Sequence, residues 1–175
     1  MNDNFDVAKL TKAKKPKKVN SRNKGQSFER KIATMLNSKF QTKEFSRSPG
    51  SGAFATTHNI PEHLKLYGDL ITPKDFKFCI ECKKGYNKEN LCSLFNKRSD
   101  LWKFIDQCEK DSQKCNKEPL VIFQQDRQKI LAIVRSNTLN IDIKKIDITR
   151  KSNKKYNTYT MYLLEDLLLL DDIWD

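Results

Sequence analysis

Apolar positions change period several times along this chain, and each change marks an element. Phe28, Ile32, Met35 and Leu36 recur at helical spacing, which predicts an amphipathic helix over residues 26–37. Glu29 shares a face with Ile32, Ala33 and Leu36, so a carboxylate sits at the edge of the buried stripe, either aimed into a site or reaching out of the core. Residues 43–48 read as a short strand, and the PGSG of 49–52 as a turn or loop. The GDLI of 68–71 starts a second short strand, stopped by Thr72-Pro73-Lys74-Asp75. Residues 76–83 then alternate with period two: Phe76, Phe78, Ile80 and Cys82 share one face, Lys77, Cys79, Glu81 and Lys83 the other. A tight turn between these two runs predicts a hairpin whose arms are the GDLI and FCIECK segments.

Beyond the loop at Gly85, a helix is predicted from Asp100, read as its N-cap, through Leu101, Trp102, Phe104, Ile105 and Cys108, with Pro119 marking the exit. The apolar runs at 120–124 and 129–134 have strand length. Alternation over 139–149 and 156–162 predicts a further hairpin, and the acidic, leucine-rich end a short helix that packs on the domain or forms a dimer contact. These elements predict one α/β domain, a mixed sheet of four to five strands flanked by helices. A chain of 175 residues, 37% hydrophobic, has apolar material for one ordinary core and little for a second.

Residues 1–24 break the pattern: Lys9, Lys12, Lys14, Lys15, Lys17, Lys18, Arg22 and Lys24 stand among few apolar side chains, too few to offset the entropy of ordering. The expectation is a disordered basic N-terminal arm over 1–24 and a folded domain over 25–175, its core at 25–134 and an extension at 135–175. The formal charge of +12 points to a polyanionic partner, although charge alone does not separate DNA, RNA and an anionic membrane. No apolar run reaches the roughly 18 residues a membrane span needs, so a membrane partner is not expected. The first residues lack the apolar region of a secretory signal, which predicts a cytoplasmic or nuclear protein rather than a secreted one. Five cysteines, odd in number and irregular in spacing, fit a reducing compartment. Cys79 and Cys82, three apart on a strand, point to opposite faces and do not converge on zinc.

The candidate chemistry lies on the predicted hairpin. Metal-assisted hydrolysis of a phosphodiester needs carboxylates gathered at one point, with a cation near the phosphate. Glu81 and Lys83 lie two apart on one strand face, and pairing can bring Asp69 beside them. Two carboxylates about 4 Å apart repel by about 4 kcal/mol at an effective dielectric near 20, so such a pair is expected to take up a cation.

Asp69, a gap of eleven residues, then Glu81-Cys82-Lys83 behind Phe78, Cys79 and Ile80 resembles the D, apolar strand, E-x-K pattern of the PD-(D/E)XK nucleases. KGQSFERKIATML, residues 24–36, is similar to the first helix of archaeal-type Holliday junction resolvases and related phage-borne endonucleases, with Glu29 matching the metal-site Glu of that helix. RSPGSG, residues 47–52, resembles the strand and loop that follow, and the similarity covers residues 24–134. The proline that gives the superfamily its name is absent; Gly68 stands before Asp69, as in resolvase-like members.

The resemblance implies a restriction-endonuclease-like fold and a metal-dependent DNA endonuclease with Glu29, Asp69, Glu81 and Lys83 as catalytic residues. Magnesium, replaceable by manganese, would be held by Asp69, Glu81, the Cys82 backbone carbonyl and Glu29. Lys83 would orient or help deprotonate the attacking water and stabilise the transition state. Lys24, Arg47, Ser48, Ser51 and Gln107 are candidate DNA contacts, though Arg47, Ser48 and Ser51 serve equally well to shape the loop. The implied substrate is duplex DNA or a four-way junction, and a junction enzyme is expected to be a homodimer because two opposed strands are cut. The rivals are a less structure-selective phage or restriction-type endonuclease and a non-catalytic nucleic-acid-binding protein.

Overall fold

Asn20 is the first described residue: its side chain accepts the Arg22 N–H at 3.0 Å and caps helix α1, Ser21–Lys39. The computed structural model describes residues 20–49, 67–96, 99–152, 155–171 and 174. Helix α1 thus starts earlier than its apolar stripe suggests. Residues 21–24, expected in the arm, are its first turn, and Lys24 is tied down by an ion pair with Asp126 at 2.5 Å. The rest of the expected arm, residues 1–19, lies outside the described residues, as do Ser51 and the remainder of 50–66.

Two short strands follow, β1, Ser46–Arg47, and β2, Leu70–Ile71, which pair antiparallel with Ser46 opposite Ile71. Next come β3, Phe78–Lys84, a 3-10 turn, Leu91–Phe95, and helix α2, Asp100–Cys115. The chain ends with β4, Glu118–Gln124, β5, Leu131–Arg135, β6, Lys145–Ser152, β7, Lys155–Leu163, and a last turn of helix, α3, Leu164–Leu167. The main sheet has the order β3-β4-β5-β7-β6. Its β3-β4 pair is parallel and the other three are antiparallel. Helix α2 makes the crossover that a parallel pair requires.

The alternation along β3 divides the core. Phe78, Ile80 and Cys82 enter a cluster with Phe28, Ile32 and Leu36 of α1 on one face. On the other face Leu101, Trp102, Phe104, Ile105 and Cys108 of α2 pack against Val121, Phe123 and Ile133. With helices on both faces of a mixed five-stranded sheet, this is the expected restriction-endonuclease-like α/β architecture. No helix among the described residues is long and apolar enough to cross a membrane.

Several expectations are corrected. The GDLI segment and β3 do not form a hairpin ladder; GDLI pairs with β1, and a single backbone bond, Asp69 N–H to the Ile80 carbonyl at 2.8 Å, joins it to β3. Ser99 rather than Asp100 caps α2, its hydroxyl accepting the Leu101 N–H at 3.2 Å. Helix α2 ends at a left-handed Asn116, while Pro119 lies inside β4. Strand β5 pairs with β4 only from Leu120 onward, so the N–H that Pro119 lacks falls before that ladder begins. Nor is the chain beyond residue 134 an appendage: β6 and β7 complete the sheet, and Tyr162, Leu164, Leu167 and Trp174 belong to the α1-side core.

Candidate active site

Gly68 sets the position of Asp69. Its φ is +76°, and a Cβ there would lie 2.6 Å from the Ile80 carbonyl oxygen, so only glycine lets this segment approach β3 closely. Asp69 then docks on the β3 edge twice. Its N–H reaches the Ile80 carbonyl, and its Oδ2 accepts the Cys82 N–H at 2.8 Å. Cys82 therefore acts here through its N–H, a contact the motif does not reveal. From the other side, Ser48 donates its N–H to the Asp69 carbonyl at 3.0 Å.

Glu81 is 1% exposed, and its Oε1 is held in an ion pair by the Lys83 ammonium. Burial, reinforced by the charge of Asp69, pushes the Glu81 carboxyl up to about 7 against the pull of Lys83. Burial also works against the Lys83 ammonium, but Glu81 and Asp69 outweigh it and hold its pKa above the ordinary lysine value. The same ammonium stands 5.6 Å from the centre of the Phe104 ring, a cation–π contact from α2.

Helix α1 contributes Glu29, 8% exposed, whose Oε2 takes the Arg47 Nε–H at 2.5 Å. Burial and the nearby Asp69 raise its pKa above the usual value, opposed by Arg47. Strand β1 is what delivers Arg47 to this helix, and its register follows from the pairing of Arg47 with Leu70. Glu29, Asp69, Cys82 and Lys83 line one cleft of about 530 Å³, together with Lys24, Gly85, Tyr86 and Asn87.

The structure thus brings together Glu29, Asp69, Glu81, Lys83 and Cys82, with Lys24 on the rim and Arg47 bound to Glu29. It does not bring in Gln107, which is exposed on α2 and absent from the cleft lining. Ser48 is 2% exposed, and its hydroxyl has no hydrogen-bond partner among the described residues. The Phe104 platform and the Gly85–Asn87 wall carry no motif; the glycine in a loop straight after the E-x-K strand is their only signal.

The carboxylates of Glu29, Asp69 and Glu81 are hard oxygen donors of the kind that suit a divalent cation such as magnesium. Among the described residues no three such side chains converge as a ready-made cage; Glu29 is engaged by Arg47 and Glu81 by Lys83.

The family described as "Phage putative PDDEXK endonuclease" matches residues 20–172. Protein D14 of Escherichia phage T5 is 34% identical over 130 residues, covering 71% of this chain and 76% of that protein. No solved structure matches the chain. The family match spans the whole of the main sheet, both helices of the core and every described residue of the cleft. This chain belongs to the phage PDDEXK endonuclease family.

Proposed function

We propose that this protein is a magnesium-dependent endonuclease that hydrolyses phosphodiester bonds in branched DNA, with manganese able to substitute. One observation carries the reading: the paired bonds of Asp69 to the β3 edge, which hold its carboxylate in the cleft with Lys83, whose ammonium is ion-paired to the buried Glu81. Asp69, Glu81, the Cys82 carbonyl and Glu29 would hold the cation. When bound, it supplies Lewis-acid polarisation of the phosphodiester and acidification of water.

The protein's own groups do the rest. The Cys82 N–H fixes Asp69 in one orientation, so no reorganisation is needed there during reaction. Lys83 is held beside Glu81 by their ion pair, and its ammonium would stabilise negative charge on the phosphate. Lys24, which lines the cleft, and Arg47, bound to Glu29, would contact phosphates flanking the cut. The branched substrate and the homodimer that would cut two opposed strands rest on the likeness of residues 24–52 to junction resolvases.

The test is incubation with synthetic four-way junctions, linear duplex and single strand, in magnesium or EDTA. Junction cleavage is expected in magnesium only, and Asp69→Asn, Glu81→Gln and Lys83→Ala should each bind DNA yet lose at least a hundredfold in rate. Cleavage of linear duplex as fast as of junctions would favour the less selective endonuclease. Cleavage that survives EDTA, or in all three variants, would overturn the site assignment; binding without cleavage under either metal would leave a nucleic-acid-binding protein.

A further inference from the structure

Phe95 is 93% exposed, at the end of the 3-10 turn Leu91–Phe95. A ring so exposed adds nothing to the core, yet the turn that carries it is held from every side. Asn90 and Ser93 cap each other, the Asn90 side chain accepting the Ser93 N–H at 3.1 Å and the Ser93 hydroxyl accepting the Asn90 N–H at 3.1 Å. Glu89 gathers the Ser93 hydroxyl at 2.7 Å, the Ser99 hydroxyl at 2.6 Å and the Asp100 N–H at 3.1 Å. The buried Trp102 donates its indole N–H to the Leu94 carbonyl at 2.8 Å, next to Phe95 itself. From the end of β4, the Gln125 side-chain amide donates to the Glu89 carbonyl at 2.6 Å. The backbone beneath Phe95 is therefore preorganised, and the ring is displayed rather than left loose.

Its position is informative too. The chain runs from Lys83 through Gly85, Tyr86 and Asn87, which line the cleft, directly into this turn, and the turn is bonded to the first residues of α2. One turn further along α2, Phe104 carries the Lys83 ammonium. Phe95 is thus seated beside the first turn of α2, whose Trp102 also meets Tyr159 of β7 and Arg150 of β6. Among the described residues, its exposed sequence neighbours Asn90, Cys92 and Asn96 add no large apolar side chain. A protein interface asks for a contiguous apolar core, whereas a nucleobase needs only one ring face to stack on. The net charge of +12 selects the same occupant, since a base arrives with phosphates.

We propose that Phe95 is a stacking platform for an unpaired nucleobase of the bound DNA. This rests on the endonuclease reading and deepens it: the platform makes the protein prefer DNA whose helix is interrupted, because a paired base has both faces covered.

The test uses the full chain, wild type, Phe95→Ala and Phe95→Trp, binding DNA in EDTA so that nothing is cut. The probes are a linear duplex and a duplex interrupted by one unpaired 2-aminopurine. Wild type should quench the 2-aminopurine. Phe95→Ala should abolish the quenching and bind the interrupted DNA about tenfold more weakly, with linear-duplex affinity and melting temperature unchanged. Phe95→Trp should restore both. Equal binding and quenching by wild type and Phe95→Ala would overturn the proposal, as would sedimentation showing that Phe95→Ala turns a dimer into a monomer, which would assign the ring to a contact between copies. Phe95-dependent quenching in a protein that never cuts DNA would sink the endonuclease reading and keep the platform. Cleavage in magnesium with no Phe95 effect would sink the platform alone.

Discussion

Glu81 keeps its proton to an unusually high pH, and this links stability to cation binding. A carboxyl raised from 4.5 to about 7 favours the neutral form in the folded state. Its stabilising contribution is complete below about 4.5 and is lost as the pH rises through about 7. A divalent cation competes with that same proton. Magnesium should therefore raise the melting temperature more at pH 8 than at pH 5.5, and Glu81→Gln should remove the difference; an equal rise at both pH values in wild type and variant would show that Glu81 is not a ligand. Gly68 gives a second prediction. Gly68→Ala forces a side chain into a left-handed backbone and against the Ile80 carbonyl, costing roughly 1–3 kcal/mol from backbone strain alone. Thermal melting should register that loss and cleavage should fall at least tenfold with DNA binding kept; an unchanged melting curve would show that the segment adjusts. In the sequence Gly68 is visible only as the residue where the motif has proline. The close approach that requires it depends on β3, ten residues and more away, and no local pattern encodes it.

Among the elements, β3 is the most legible in the sequence, because period-two alternation over its whole length reflects two packed faces, one on α1 and one on α2. The partner of GDLI is not legible. Strands of two residues carry no period, and pairing with residues 46–47 joins positions more than twenty apart, whereas a local hairpin needs only the Thr72–Asp75 turn. The start of α2 is ambiguous by one residue because Ser99 and Asp100 both suit an N-cap; the bond from Leu101 decides it. Helix α1 is legible as an amphipathic stripe, and Glu29 at its edge is buried where the spacing places it. Its role is testable on this helix alone. Glu29→Gln should lower cleavage with the far-UV circular dichroism unchanged, and higher magnesium or added manganese should recover part of the rate. Full wild-type activity at low magnesium would reduce Glu29 to a partner of Arg47.

For the whole molecule, charge points to a polyanionic partner but not to where it binds. The basic residues of 1–18 and the lysines around the cleft contribute to one total, and only the fold separates them. Deleting residues 1–18, before α1 begins, should weaken binding to all duplex DNA alike and reduce the salt slope by about 0.9 for every phosphate that those residues neutralise. An unchanged slope would mean that this segment does not touch DNA. The layered arrangement of helices on a sheet, by contrast, can be read in advance from the alternation of helical and strand periods.

The separation of the two-stranded β1-β2 sheet from the five-stranded one bears on when the enzyme is armed. Asp69 is delivered to β3 by a segment outside the main sheet, joined to it by the Ile80 and Cys82 bonds. A local opening of that segment would take the carboxylate away while the sheet stays folded. The Asp69 and Cys82 amides should then exchange with deuterium together and well before that of Ile122, which lies in a strand paired on both sides. Such an enzyme would pass through brief, reversible disarmed intervals without unfolding, and their frequency would set how often a bound DNA meets a complete centre.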